Sequence, residues 1–191
     1  MGSREEILAR LRAAAVPPVP LPEAGPGVRY PDLAGRFALA VAEAGGRCLR
    51  AASLEILEQV PPYLDARRVV SLVPGVRRAN VDLAAVQDPH ALEDVDFCVL
   101  PGELGVAENG AVWVTEHGGV NRAAAFLTQH LCLVVRAGTL VHNLHDAYAR
   151  LSMVRPGFGL FLSGPSKTAD IEQALVIGAH GARSCTVLLI D

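Results

Sequence analysis

The chain has 191 residues, 51% of them apolar and 19% charged, with a formal net charge of −3 and a pI near 6.1. This composition excludes a disordered chain, and the weak acidity excludes a surface that gathers nucleic acid or anionic membrane as a whole. The length suits one α/β domain with short additions, and no apolar stretch is long and unbroken enough to span a bilayer.

Ser3 with Glu6 three residues on predicts a capping box that opens a helix, with Ile7, Leu8 and Leu11 as its apolar stripe. VPPVPLPEAGPG then reads as an extended, proline-rich arm, so residues 1–27 divide from an α/β body over 28–191. The first residues carry charge where a signal peptide needs an apolar core, and the expected location is the cytoplasm. Cys48, Cys98, Cys132 and Cys185 are scattered with no C-x-x-C pair, which suits reduced, buried thiols and lacks the spacing of a zinc or iron–sulfur site.

DLAGRFALAVAEAGG predicts a helix facing inward through Leu33, Phe37 and Val41 and ended by Gly45-Gly46, followed by a short strand around Cys48-Leu49. SLEILEQV predicts a helix begun by Ser53 and closed by Pro61-Pro62; ARRVVSLVPG and DFCVLP read as strands. LGVAENGAVWVTE (104–116) reads as a hairpin turning at Asn109-Gly110, because a tight two-residue turn needs positive φ at both positions. HLCLVV (130–135) is a buried strand, and GTLVHNLHDAYARL a helix with Leu140, Leu144, Tyr148 and Leu151 inward. The strand FGLFLSG, the loop PSKT, the helix ADIEQALVIGAHG and the strand CTVLLI complete a right-handed βαβ crossover. The alternation predicts a mostly parallel sheet with helices on both faces.

Two stretches invite chemistry. Glu108 sits among Val106, Ala107, Ala111 and Val112; it is either a solvent-facing hairpin residue or a carboxylate held as general base, nucleophile or hydrogen-bonding clamp. The loop at 163–172, entering a helix from a strand, belongs at the carboxyl edge of the sheet. Gly164, Pro165, Ser166, Lys167 and Thr168, with Thr168 as N-cap, could hold a phosphate or carboxylate on free N–H groups. Asp170 and Glu172 in the first turn satisfy the helix dipole and argue for a merely well-capped helix. Gly159 to Gly164 has Walker spacing, but Pro165-Ser166 stands where Lys-Ser/Thr should.

The histidines are weaker signals. His142, His145 and Asp146 fall on one helix flank, a possible start of a metal site without a visible third ligand, so no metal is expected. His117 with Gly118-Gly119 reads as a loop after the hairpin, His180-Gly181 as a helix C-terminus, and His130 as a structural or pocket-lining residue.

SGPSKTADIEQALVIGAHG resembles the C-terminal signature of the LUD-domain family, in its lactate utilisation C branch. Ala107, Glu108 and Gly110 are similar to the family's A-E-T-G-T segment with Asn109 in place of threonine; Asn121-Arg122, His130 and the REEILARLR start also resemble its pattern. The resemblance implies a fold of the sugar-phosphate isomerase and CoA-transferase group. It implies an accessory or substrate-binding role in oxidising L-lactate to pyruvate, with iron–sulfur clusters on partner subunits and no cofactor on this chain. Ala107-Glu108-Asn109-Gly110 is also similar to the S-E-N-G element of class I CoA-transferases, whose glutamate attacks an acyl group. A free-standing CoA-transferase-like or isomerase-like enzyme using Glu108 is one alternative, and a non-catalytic interaction module is another. The expected site joins Glu108, Asn109 and Gly110 to Gly164, Pro165, Ser166, Lys167, Thr168 and Asp170 across one crevice.

Overall fold

A computed structural model describes residues 2–16, 19–20, 22, 25, 27–115, 121–151, 157–171 and 174–191, with the side chains of 121, 169–171 and 174 outside the description. The elements are α1 (Ser3–Ala13), α2 (Leu33–Glu43), β1 (Arg47–Ala51), α3 (Pro61–Asp65), β2 (Val69–Ser71), β3 (Phe97–Pro101), β4 (Leu104–Val106) and β5 (Ala111–Thr115). There follow α4 (Asn121–Leu127), β6 (His130–Arg136), β7 (Leu140–Val141), α5 (Leu144–Arg150), β8 (Gly159–Leu162), β9 (Lys167–Ile171), β10 (Ala174–Ile177) and β11 (Ser184–Ile190). The stretches 54–59, 83–85, 89–92 and 137–139 form 3-10 turns.

Five strands in the order β1-β11-β6-β3-β2 form an entirely parallel sheet. Its strands are nearly all apolar because both faces are covered. The period of two is clean: Cys98, Leu100, Leu131, Leu133, Val135, Cys185, Val187 and Leu189 point to one core. Phe97, Val99, Cys132 and Leu188 point to the other. That second core is roofed by the 54–59 turn and α3, through Leu57, Val60 and Tyr63. The α/β architecture expected from the sequence is present, with α2 and α4 on the opposite face.

That opposite face is shared with a second sheet of order β7-β4-β5-β8, mostly antiparallel. Val112, Val114, Leu160 and Leu162 look toward the parallel sheet. Leu104, Val106, Trp113, Val141 and Phe161 look away, toward α5. α2, N-capped by Asp32, which accepts from Gly35 N at 2.8 Å, buries Phe37 and Val41 completely in the shared core.

Several expected elements differ. The segment expected as the helix ADIEQALVIGAHG is instead the antiparallel pair β9 and β10, with Thr168 opposite Val176. β8 belongs to the second sheet, so the unit before β11 is no βαβ crossover, and His180-Gly181 ends no helix. Short apolar runs rich in Ile and Val satisfy helix and strand templates alike, and here the strand wins. The helix expected from Gly138 begins only at Leu144: Leu140 and Val141 form β7, Asn143 is the cap, and Tyr148 is 56% exposed rather than inward. SLEILEQV winds as a 3-10 turn, and Pro61 opens α3 rather than closing a helix. At the start of the chain the cap is Gly2, whose N–H donates to Glu5, so the box is shifted one residue from Ser3 and Glu6. α1 buries no residue, and Ile7 and Leu11 are exposed. His117–Gly119 and Glu172 lie outside the described residues.

Phe37→Ala should remove the wedge between the two sheets. A loss of about 3–5 kcal/mol is expected, read as a lower urea midpoint at unchanged slope.

Candidate functional site

β4 and β5 pair with Val106 opposite Ala111, so four residues, 107–110, make the turn instead of the expected two. Gly110 donates to Val106 O at 2.9 Å, and Asn109 Oδ1 accepts from Ala111 N at 3.1 Å. Gly110 has φ +69°, and a Cβ there would come within 2.6 Å of the backbone nitrogen of Val41 in α2. Ala107 is buried and donates to Val141 O. Glu108 between them is exposed. Its carboxylate accepts from Leu144 N at 3.0 Å, satisfying an orphan donor in the first turn of α5, and its carbonyl accepts from Arg36 at 3.2 Å.

The second motif adjoins the first. Ser163 Oγ donates to Asn109 O at 2.9 Å. Gly164, at φ +72°, passes so close to α2 that a Cβ would meet Ala44 O at 2.2 Å. Pro165 is buried. Lys167 Nζ donates to Ala44 O, so the lysine neutralises the carboxyl end of α2. The Ser166 backbone carbonyl accepts from Gly178 N at 3.0 Å, and its N–H donates to Ala182 O at 2.9 Å.

These contacts relocate the loop. Residues 44–46 and 182 lead into β1 and β11, so the 163–168 segment lies at the amino edge of the parallel sheet, not its carboxyl edge. The expectation failed because β8, which delivers the loop, runs in the antiparallel sheet, where the edge rule does not apply. No helix starts at Thr168, so the proposed cradle of free helical N–H groups is absent. The side chain of Asp170 is outside the described residues. The structure thus joins Asn109 to Ser163, sends the Glu108 carboxylate to α5, and commits Lys167 to α2.

The HNLHD stretch is used for docking. His142 Nδ1 accepts from Tyr30 N at 3.0 Å, and Asn143 donates to Val28 O at 3.1 Å while capping α5 through Asp146 N. Asp146 binds Arg29 through two hydrogen bonds of 2.7 and 3.0 Å. Of the side chains read as a helix flank, His142 and Asp146 therefore fasten residues 28–30 together with Asn143, whereas His145 is exposed. The only sequence signal was the Asn-x-x-Asp pattern of an N-cap.

Among the clefts formed by the described residues, two lie at opposite ends of the parallel sheet's strands. One of about 400 Å³ lies at the carboxyl ends of β1 and β11, lined by Ser53, Glu55, Tyr63, Arg77 and Ile190. The other, about 370 Å³, lies at the amino ends of β3, β6 and β11, lined by Asp65, Asp96, Gln129, His130 and Arg183. His130 Nδ1 lies 2.8 Å from Ser184 Oγ; burial, and secondarily the Arg183 charge, hold its pKa below the ordinary value. Asp96 accepts from the backbone N–H groups of Arg68 and Arg67, and these bonds hold its carboxyl below the usual carboxylate range. Among the described residues no three His, Cys, Asp or Glu side chains gather as a metal site, and no helix is long and apolar enough to cross a membrane. Burial pushes the Cys98 and Cys185 thiols up to about 12, and that of Cys132 up as well.

Residues 53–190 match the family described as the LUD domain, and the chain belongs to that family. Relatives include lactate utilization protein C of Bacillus pumilus (strain SAFR-032), 30% identical over 118 residues, 59% of this chain and 49% of that protein. Lactate utilization protein C of Shouchella clausii (strain KSM-K16) is 28% identical over 104 residues, 52% of this chain and 45% of that protein. The chain spans about half the length of the curated relatives it matches. The crystal structure of a DUF162 family protein from Deinococcus radiodurans shares the fold, with a TM-score of 0.60 at 17% identity over 84% of this chain and 97% of that one.

Two outcomes follow from this geometry. Gly164→Ala should destabilise the protein by more than about 1 kcal/mol in urea unfolding, whereas Gly138→Ala, where a Cβ meets nothing within 4 Å, should be nearly neutral. His130 titrates lower folded than unfolded, so the unfolded chain binds the extra proton first and stability falls as pH drops through 6.5 toward the folded pKa. Denaturation at pH 7.5 and pH 5, chosen as points about one unit or more either side of an ordinary imidazole, should show a smaller loss for His130→Gln than for the parent.

Proposed function

We propose that this chain serves lactate utilisation as a binding or accessory subunit, working in the cytoplasm with iron–sulfur proteins that oxidise L-lactate to pyruvate. The observation that carries the reading is the Ser163–Asn109 hydrogen bond, which makes one structural unit of the two family-like stretches. The names of the relatives supply the process. The cluster-bearing role falls to partners because the three buried thiols here sit within the core, their protonated forms favoured.

Within that role Glu108 is a hydrogen-bonding clamp. Its carboxylate ties the 107–110 turn to α5, while Asn109 and Gly110 hold the turn against β5 and α2. Gly164, Pro165, Ser166 and Lys167 then shape the loop beside it, and Thr168 and Asp170 continue it into β9. The exposed α1, whose Ile7 and Leu11 find no partner in this chain among the described residues, is the element that meets the iron–sulfur subunits.

Complementation of a deletion strain on L-lactate tests these assignments together. The deletion should grow poorly and the full chain should restore growth. Glu108→Gln, whose amide oxygen still accepts from Leu144 N, should restore it too; Glu108→Ala should fold with Tm lower by about 2–4 °C. The chain without residues 1–27 should fold but fail both to restore growth and to retain the iron–sulfur partners in a pull-down. A folded Glu108→Gln that behaves as the deletion, or an acyl adduct trapped on Glu108 from acyl-CoA, would replace the clamp by nucleophilic chemistry.

A further inference from the structure

We propose that the cleft at the amino edge of the parallel sheet binds a small monocarboxylate bearing an oxygen on the neighbouring carbon, with Arg183 taking the carboxylate and His130 the second oxygen. The idea deepens the lactate-utilisation reading, and rests on it only for the choice of L-lactate as first probe.

The cleft is built where three adjacent strands begin, so the backbone of its residues is fixed by pairing rather than carried on loose loops, while the Arg183 side chain is exposed. His130 N donates to Asp96 O at 2.9 Å and Arg183 N donates to Gln129 O at 2.8 Å. These bonds hold the residues that lead into β3, β6 and β11 in register. Such strand-anchored placement is the kind of preorganisation a ligand site requires.

Its polar groups are unevenly committed. Asp96 already accepts two backbone N–H groups on one oxygen. His130 uses Nδ1 on Ser184, which leaves Nε2 as the ring's other polar atom. Among the described residues neither the Arg183 guanidinium nor the Gln129 amide has a side-chain partner, and Arg183 forms no ion pair. A guanidinium matches a carboxylate with two parallel hydrogen bonds. A neutral imidazole beside it, favoured by burial and by the Arg183 charge, can accept from a hydroxyl or donate to a carbonyl. Asp65 and Asp96 on the same rim repel a second negative charge, which selects a monocarboxylate over a phosphate or a dicarboxylate.

The family-like loop acquires a purpose in this arrangement. The backbone of Ser166 accepts from Gly178 N and donates to Ala182 O, pinning the turn that carries Arg183. Gly178, at φ +80°, lets Arg183 pack on the turn; a Cβ there would lie 2.5 Å from Arg183 Cγ. Both bonds are made by the Ser166 backbone, so it is the path of the loop, not the serine hydroxyl, that places Arg183.

Calorimetric titration of the purified full chain with L-lactate, pyruvate, propionate and inorganic phosphate tests this. L-Lactate and pyruvate should bind, propionate more weakly, and phosphate weakest. Arg183→Gln, checked as folded by circular dichroism, should weaken all three carboxylates by about tenfold or more, and Arg183→Lys should recover only part of the loss. His130→Gln should weaken L-lactate and pyruvate while leaving propionate unchanged, a split that a merely structural defect would not give. Absence of binding by the folded parent, phosphate binding tighter than L-lactate, or equal binding by the parent and Arg183→Gln would each overturn the assignment. A deletion phenotype on L-lactate with an empty cleft removes this site and leaves the proposed role standing. Binding without a phenotype upholds the site and removes the role.

Discussion

The position of α2 governs everything around the two motifs. Phe37 and Val41 are fully buried between a parallel sheet and an antiparallel one, so the helix cannot shift without opening both. Its last turn then becomes the surface on which separate pieces of chain are laid: the 107–110 turn against Ala40 and Val41, and the 163–167 loop against Ala44. Close backbone approach at these points leaves room only for glycine, which explains why both segments carry one at the point of contact. The Ser163–Asn109 bond forms because each partner has already been placed on the same helix.

The parallel sheet was legible in the sequence because two-sided burial writes long apolar runs, as in HLCLVV and CTVLLI. α2 was legible for the converse reason, its apolar residues recurring every fourth position. KTADIEQALVIG was not, since its apolar spacing fits a helix while its β-branched residues and the bonds of Ser166 favour a hairpin. Misreading that hairpin as a helix carried two errors with it, an N-cap at Thr168 and a loop at the wrong edge of the sheet. The docking of residues 28–30 was invisible for another reason. Arg29 and Asp146 are 117 positions apart, and no local pattern announces a long-range ion pair.

The candidate site was legible in identity more than in role. Glu108, Asn109 and Ser166 drew attention as potential ligand contacts; Glu108 and Asn109 each give a side-chain oxygen to a neighbouring backbone N–H, and Ser166 is tied in through its own backbone. His130, read from the sequence as either a structural or a pocket-lining residue, lines a cleft with four other polar side chains. Residues that look chemical in sequence can act by holding others still, and the group facing a ligand can be one that pattern alone leaves unremarkable.

The placement of the cysteines gives the protein an internal clock. Cys98, Cys132 and Cys185 are buried on three adjacent strands, each with its pKa raised, while Cys48 on the edge strand is only half-buried. A thiol reagent therefore meets Cys48 in the native state and reaches the other three only through opening of the central strands. The rate at which those three react with the reagent measures how often the sheet itself comes apart, with no substitution made in the chain.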